Sequence, residues 1–248
     1  MTYNKRPIRA LLVILCFFGK FSVLFAQKND NESLYNWFDK TIGKENLSIN
    51  NGTIHTNYDR TLNGQHRYFN SNQFTIGNLN YDNQNYFDVN LKYDIYNDEL
   101  ILKPNGESGY INVNLTKDRV KTFKIHNTQF VNLNSQLPQD FLKGYYEENL
   151  VGKSFVFYIK HYKDKTEILK EHGAYYEYYD KTEFIAFVGN KFEKINSKNE
   201  IVKLFPSYKN EINEFYTMYR NLKKEKESKF MENIMTYINN LLQRNSNK

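Results

Sequence analysis

The sequence predicts an α+β protein, in which an antiparallel β-meander, arranged as a sandwich or a barrel-like sheet, is followed by C-terminal amphipathic helices. Three observations predict this class. The 248 residues include 21 Tyr and 19 Phe, whose flat rings pack well on a pleated surface and favour strands. Between residues 51 and 195, short apolar runs recur roughly every ten residues with turn-forming residues between them. After residue 196 the apolar spacing changes to that of a helix.

The first 26 residues have the pattern of a cleaved signal peptide. Three basic residues precede an apolar run, and the small residue Ala26 is followed by a polar one. We predict cleavage after Ala26, so that Gln27 begins a mature chain exported to the periplasm or the extracellular space, with no stable transmembrane segment. An uncleaved membrane anchor is the alternative, but Lys20 interrupts a run that is already short for a bilayer core of about 30 Å.

The predicted signal peptide also changes the chemistry available to the mature chain. It contains the only cysteine, Cys16, so neither a disulfide nor a catalytic thiol is expected. It carries four basic residues and no acidic residue, and without it the chain has 30 basic against 28 acidic residues. The net charge then falls from +6 to +2, which gives no support for binding to nucleic acid.

The clearest strand is predicted at residues 87–95, where apolar and polar side chains alternate. This period of two places five apolar side chains on one face and puts Asp88 and Asp94 on a solvated face. The five are Phe87, Val89, Leu91, Tyr93 and Ile95. A turn signal at residues 97–98, followed by a second alternating run at residues 100–102, predicts a hairpin.

The other elements follow in order along the chain. A short helix is predicted at residues 33–42, before the sheet. Further strands are predicted at residues 111–115, 120–125, 129–133, 145–151, 155–160, 174–179, 183–188 and 192–195. Ser197 and Glu200 have the spacing of a capping box, in which two side chains satisfy free backbone N–H groups at a helix start.

The helical part is predicted from the apolar residues after this capping box. Residues with helical spacing lie at 212–222 and again at 230–241. We therefore predict one mature domain over residues 27–248, with a β-rich part at about 51–195 and a helical part at about 196–243.

A family resemblance is carried by residues between Phe74 and Leu102. These are Gly77-Asn78-Leu79-Asn80-Tyr81, Tyr86, Leu91-Lys92-Tyr93-Asp94-Ile95 and Leu100-Ile101-Leu102. The stretch resembles a group of exported proteins of Bacteroidota, of unknown function, that share a β-rich first half and a helical tail. The likeness extends from about Asn51 to the C-terminus. It implies a location in the envelope or outside the cell, and it implies no activity and no catalytic residue.

Several patterns resemble motifs of nucleotide-binding or metal-binding sites but do not have the residue spacing that those motifs require. The run at residues 151–154 resembles the end of a phosphate-binding loop, but Glu147 stands where the motif needs its first glycine. The five histidines lack the three- or four-residue spacing of a helical zinc pair, although hairpins can still bring His55 to His66 or His161 to His172. The carboxylates from Asp82 to Glu99 do not fit a calcium loop that starts at Asp82, because Tyr86 stands at the fifth position and the central glycine is missing. We predict no catalytic residue, no metal and no cofactor.

A cluster of tyrosines is the candidate binding site. It consists of Tyr175, Tyr176, Tyr178 and Tyr179. Alternation along a strand sends some of these side chains to each face. Tyrosines on an exposed face can stack on sugar rings or form a protein interface, whereas packing in the core is the alternative.

Export, the tyrosines and the missing catalytic motifs together predict a non-catalytic envelope protein that binds another envelope protein or a glycan. The first alternative is a secreted or periplasmic hydrolase that uses carboxylates such as Asp88 and Asp94. The second alternative is a structural subunit of an envelope assembly.

Overall fold

The computed structural model describes residues 27–43, 47–104, 111–134 and 141–246. The predicted signal peptide, residues 1–26, lies outside the described residues. The chain divides into two units, residues 1–47 and 48–248. In the first unit the helix predicted at residues 33–42 is present and begins earlier, as α1 (Gln27–Ile42). None of the helices in the described ranges is long and apolar enough to cross a membrane.

The second unit contains one antiparallel sheet, with eleven strands in the part of the chain that the structure describes. Their bounds are β1 (Thr53–Ile54), β2 (Thr75–Tyr81), β3 (Gln84–Asp94), β4 (Glu99–Lys103), β5 (Val113–Asn114), β6 (Val120–Ile125), β7 (Thr128–Asn132), β8 (Tyr145–Val151), β9 (Phe155–Lys170), β10 (Gly173–Val188) and β11 (Lys191–Lys194). Helices follow the sheet, so the predicted α+β class is confirmed. The sheet is open and is not closed into a barrel.

The strand order shows two meanders that meet in the middle of the sheet. It runs β1-β5-β4-β3-β2-β6-β7-β8-β9-β10-β11. From β2 to β5 each strand pairs with the next, and the chain then returns so that β6 pairs with the other edge of β2. From β6 to β11 the pairing is again sequential. The predicted meander is therefore correct from β2 to β5 and from β6 to β11. It is interrupted twice, because β1 pairs with β5 and not with β2, and because β6 pairs with β2 and not with β5.

Strand β3 differs from the alternation that the sequence predicts. Asp88 has a φ of 54°, a left-handed conformation that aspartate adopts more readily than most residues. The pairing register shifts between Gly77 and Leu79 of β2, because β3 contains one extra residue there. As a result Tyr86, and not Phe87, is buried in this part of the strand. An alternating pattern cannot reveal such a β-bulge.

The two strands predicted at residues 174–179 and 183–188 are one. Strand β10 continues through Asp180-Lys181-Thr182 and pairs with β9 along its whole length. The polar interruption is accommodated because two ion pairs cross the hairpin there. Lys163 Nζ lies 3.3 Å from Asp180 Oδ1, and Lys181 Nζ lies 3.8 Å from Asp164 Oδ2.

The helices after the sheet are α2 (Lys198–Leu204), α3 (Lys209–Met218), α4 (Arg220–Glu225) and α5 (Glu227–Ser246). The predicted capping box is present, since the Ser197 side chain accepts from the backbone N–H of Glu200 and the Glu200 carboxylate accepts from that of Ser197. A 3-10 helix at Pro206–Tyr208 separates α2 from α3. These helices pack on β9 and β10 through a core formed by Phe155, Phe157, Ile159, Phe184, Ala186, Ile195, Ile201, Phe205, Tyr208, Ile212, Phe215, Phe230, Met231, Ile234, Met235 and Ile238.

The face of the β9–β10 hairpin on which the helices pack is called the inner face below. Alternation places Ile159 and His161 of β9 on it, directly opposite Phe184 and Thr182 of β10. The helices cover the part of this face that carries Ile159 and Phe184. The part that carries His161 and Thr182 contributes instead to a cleft.

A second group of buried rings lies beside His161. Phe123 and Phe130 stack with ring centroids 4.8 Å apart, and Tyr93 and Tyr145 meet edge to face at 5.6 Å. Phe69, from the loop that precedes β2, adds its ring to this cluster at 5.1 Å from Phe130. The cluster anchors that loop to the sheet by ring packing.

Candidate functional site

A cleft of about 460 Å³ opens on the inner face of the β9–β10 hairpin. This volume lies within the range of about 300–1,000 Å³ that is usual for ligand pockets. The loop at residues 66–70 and Ser228, near the start of α5, contribute to its walls. The residues that line the cleft are His66, Phe69, Asn70, Ile95, His161, Lys163, Asp180, Lys181, Thr182 and Ser228.

Strand pairing brings the polar side chains of the cleft together. His161 is directly opposite Thr182, and Lys163 is directly opposite Asp180. Directly opposite residues have Cβ atoms about 4.5–5.5 Å apart. The four side chains therefore form two adjacent pairs on a two-stranded ladder, which holds them more rigidly than a loop would.

The imidazole of His161 is held by a carboxylate from the neighbouring strand β8. His161 Nε2 lies 2.6 Å from Glu147 Oε2, and Asn149 Nδ2 donates to Glu147 Oε1 at 2.7 Å. The ring of Phe69 packs edge to face against the imidazole at 4.9 Å. A polar and an aromatic contact together fix the orientation of His161.

The Glu147 carboxyl should make stability depend on pH. Burial alone would raise the pKa of Glu147, but the hydrogen bonds from His161 and Asn149 outweigh it, and the pKa lies below its usual value. Folding then favours the ionised form, so this contribution is present above about pH 4.5 and is lost as the pH falls through the lower folded-state pKa. We expect the stability difference between the native protein and Glu147→Gln to follow this course in urea unfolding measured at several pH values.

The adjacent residue provides an internal control for this titration. Burial raises the pKa of Glu148, so ionisation of this carboxyl opposes folding. Glu148→Gln should therefore gain stability relative to the native protein as the pH rises above the usual range of a carboxyl. If Glu147→Gln and Glu148→Gln showed the same pH dependence, the assigned role of the His161–Glu147 pair would be wrong.

Lys163 connects the hairpin to the loop at residues 66–70. Its ammonium donates to the backbone carbonyl of His66 at 2.8 Å and pairs with Asp180. The Lys163 side chain is only 8% exposed, whereas that of Asp180 is 81% exposed. Burial and the Lys163 ammonium lower the pKa of His66, which favours the neutral imidazole.

Charged contacts also hold the longer loop at residues 55–74, which connects β1 to β2 and includes residues 66–70. Asp59 accepts a hydrogen bond from the hydroxyl of Tyr178 and lies 3.2 Å from Lys165 Nζ. Burial alone would raise the pKa of Asp59, but these two partners outweigh it and hold the pKa below its usual value. Farther along the same loop, Arg67 Nε lies 2.6 Å from Asp94 Oδ2. The loop is thus tied to both β3 and the hairpin.

The environment of Asp94 corrects the prediction of a solvated polar face. The Asp94 side chain is 0% exposed, and its Oδ1 accepts from the backbone N–H groups of Tyr96 and Asn97. Asp88, by contrast, is exposed at the bulge of β3. The two carboxylates that the hydrolase alternative would use therefore share no accessible surface.

The four tyrosines of the predicted binding cluster lie on two faces of β10. Tyr176 and Tyr178 are on the inner face, where Tyr178 is buried and Lys165 Nζ lies 4.2 Å above the ring of Tyr176. Tyr175 and Tyr179 are on the opposite face, where Tyr179 is 45% exposed. The cluster does not form one surface, and a role of these residues in binding stays a prediction.

The histidines are arranged differently from the hairpin pairs considered in the sequence. His66 and His161 line the same cleft, while His55 contacts Asn114 and Tyr68. No group of His, Cys, Asp and Glu residues within the described ranges could hold a metal ion. The resemblance to a phosphate-binding loop also fails in three dimensions, because residues 151–154 lead directly from β8 into β9.

No protein-family model, no curated protein and no solved structure matches this chain.

Proposed function

We propose that this chain is an exported, non-catalytic protein that binds a ligand in the cleft over His161 and Thr182. Export is supported by the basic, apolar and small residues in order at the N-terminus. The resemblance to exported proteins of Bacteroidota supports the same location.

The observation that carries the binding proposal is that the polar groups of the cleft are already held in place. His161 is oriented by Glu147 and Phe69. Lys163 is held by the backbone of His66 and by Asp180. Groups that are oriented before a ligand arrives lose little conformational freedom on binding, and this favours affinity.

The contacts within the cleft favour recognition over nucleophilic catalysis. A serine or threonine nucleophile needs a base that accepts its proton. Among the described residues, neither hydroxyl of the cleft is hydrogen-bonded to an imidazole: His161 Nε2 contacts Glu147, and Thr182 and Ser228 pair with each other at 3.5 Å. These hydroxyls are placed to meet a ligand.

The proposal is tested by removing one hydroxyl without changing the shape of the cleft. Thr182→Val replaces the hydroxyl by a methyl group, and Thr166→Val makes the same change at an exposed position of β9. The purified protein and both variants are screened by thermal unfolding against neutral and acidic oligosaccharides, amino acids, short peptides and nucleosides. A ligand present at about 100 times its Kd should raise Tm by roughly 5–10 °C.

The expected result is a compound that stabilises the native protein and Thr166→Val but stabilises Thr182→Val much less. The proposal is contradicted if every stabilising compound acts equally on Thr182→Val. It is also contradicted if no compound in the panel raises Tm at millimolar concentration.

A further inference from the structure

We infer that the ligand of the cleft is a neutral sugar, bound with its hydroxyl groups on the Lys163–Asp180 pair and its carbon face on the floor of the cleft. This inference rests on the proposed binding function and names the class of ligand. Three features of the cleft carry it: its charge balance, its mixture of donors and acceptors, and its apolar floor.

The charges of the cleft cancel among the described residues that line it. Lys163 is paired with Asp180. Lys181 lines the cleft, but its side chain belongs to the opposite face by alternation, where the ammonium pairs with Asp164. The imidazole of His161 contacts the carboxylate of Glu147. An anionic ligand would approach this carboxylate without a free cation to pair with it, so a neutral ligand fits better.

The polar groups of the cleft match those of a hydroxylated ligand. An alcohol hydroxyl donates one hydrogen bond and accepts others. Asp180 can accept and Lys163 can donate, and their charged atoms lie 3.3 Å apart, so the pair can satisfy both roles of neighbouring ligand hydroxyls. Thr182 and Ser228 add two hydroxyls that can take either role.

The floor of the cleft supplies carbon surface. Phe69 and Ile95 line it, and Phe69 is held by the aromatic cluster beneath, where its ring meets Phe130 at 5.1 Å. The C–H groups on one side of a pyranose ring form an apolar face that packs on such surface, while its hydroxyls point outward to polar groups. The cleft matches such a ligand, because its floor is apolar and its walls are polar.

The charge balance gives the most specific test, because one substitution should change the preference for charge. Asp180→Asn removes the carboxylate but leaves Lys163 in the cleft. Asp164→Asn makes the same change in the ion pair on the opposite face, where both partners are exposed. Binding is measured first on an array of neutral oligosaccharides and oligosaccharides with one hexuronic acid. Isothermal titration with the best neutral oligosaccharide and its uronic acid counterpart then gives the affinities.

We expect the native protein and Asp164→Asn to prefer the neutral sugar to its uronic acid counterpart. Asp180→Asn should bind the neutral sugar roughly tenfold more weakly, because a charge-assisted hydrogen bond is lost. It should also lose the preference against the uronic acid, since the Lys163 charge is no longer balanced.

Three outcomes would overturn the inference. If the native protein binds only non-sugar compounds, and this binding depends on Thr182, the sugar assignment is wrong while the binding function stands. If uronic acids bind the native protein better than neutral sugars, the charge argument is wrong. If sugars bind equally to Asp180→Asn, Thr182→Val and the native protein, they bind elsewhere, and the assignment of the cleft fails with the sugar inference.

Discussion

Replacing Arg67 by Met should lower the free energy of unfolding by about 3–5 kcal/mol, the usual cost of removing one partner from a buried ion pair. Arg67 and Asp94 are both buried, with Nε and Oδ2 2.6 Å apart. In the variant the Asp94 carboxylate would stay in the interior without its cation. The backbone N–H groups of Tyr96 and Asn97 would be its remaining partners.

Two further variants separate the buried charge from other effects of this substitution. Lys181→Met breaks an ion pair whose partners are at least half exposed, and it should cost less than about 1 kcal/mol. The double variant Arg67→Met/Asp94→Leu removes both buried charges and should recover much of the stability. Urea unfolding followed by circular dichroism measures all three. If Arg67→Met and Lys181→Met had similar effects, the ion pair would not be the main anchor of the loop.

Replacing Phe130 by Ala should cost about 3–5 kcal/mol, because it leaves a cavity in the aromatic cluster. Phe130 is fully buried and stacks on Phe123. It also supports Phe69 at the floor of the cleft. The substitution should therefore weaken both the fold and the binding of ligand, because the floor loses its support.

Leu169→Ala is the matched control for Phe130→Ala. Leu169 is 79% exposed on β9, so its truncation should change the free energy of unfolding by no more than about 0.5 kcal/mol. Urea unfolding gives both values. A loss below about 1 kcal/mol for Phe130→Ala would show that the cluster tolerates the cavity and does not support the floor of the cleft.

The sequence predicts strands well where alternation is regular and turns are marked. The strands predicted at residues 120–125 and 145–151 agree residue for residue with β6 and β8. Prediction fails where the backbone departs from a simple ladder. The bulge at Asp88 causes Tyr86, and not Phe87, to be buried. The polar residues in the middle of β10 have the composition of a turn, although the strand is continuous there. Both departures depend on the neighbouring strand, which a local pattern does not contain.

The candidate site is less predictable for the same reason. Alternation places Asp94 on a polar face, and nothing local to it identifies Arg67 as a partner that permits burial. The pairing of His161 with Thr182 requires β9 and β10 to continue through the polar segment in one register. One sequence feature could have predicted the cleft. Lys and Asp residues occur in both strands, and in a continuous hairpin they can form ion pairs with residues of the opposite strand.

The most direct test of the binding proposal is the affinity of the best stabilising compound for the native protein and for Thr182→Val, measured by isothermal titration at 25 °C. If the cleft is the binding site, Thr182→Val should bind roughly tenfold more weakly, while its Tm without ligand stays close to that of the native protein. Equal affinities of the two proteins would contradict the account and would place the ligand outside the cleft.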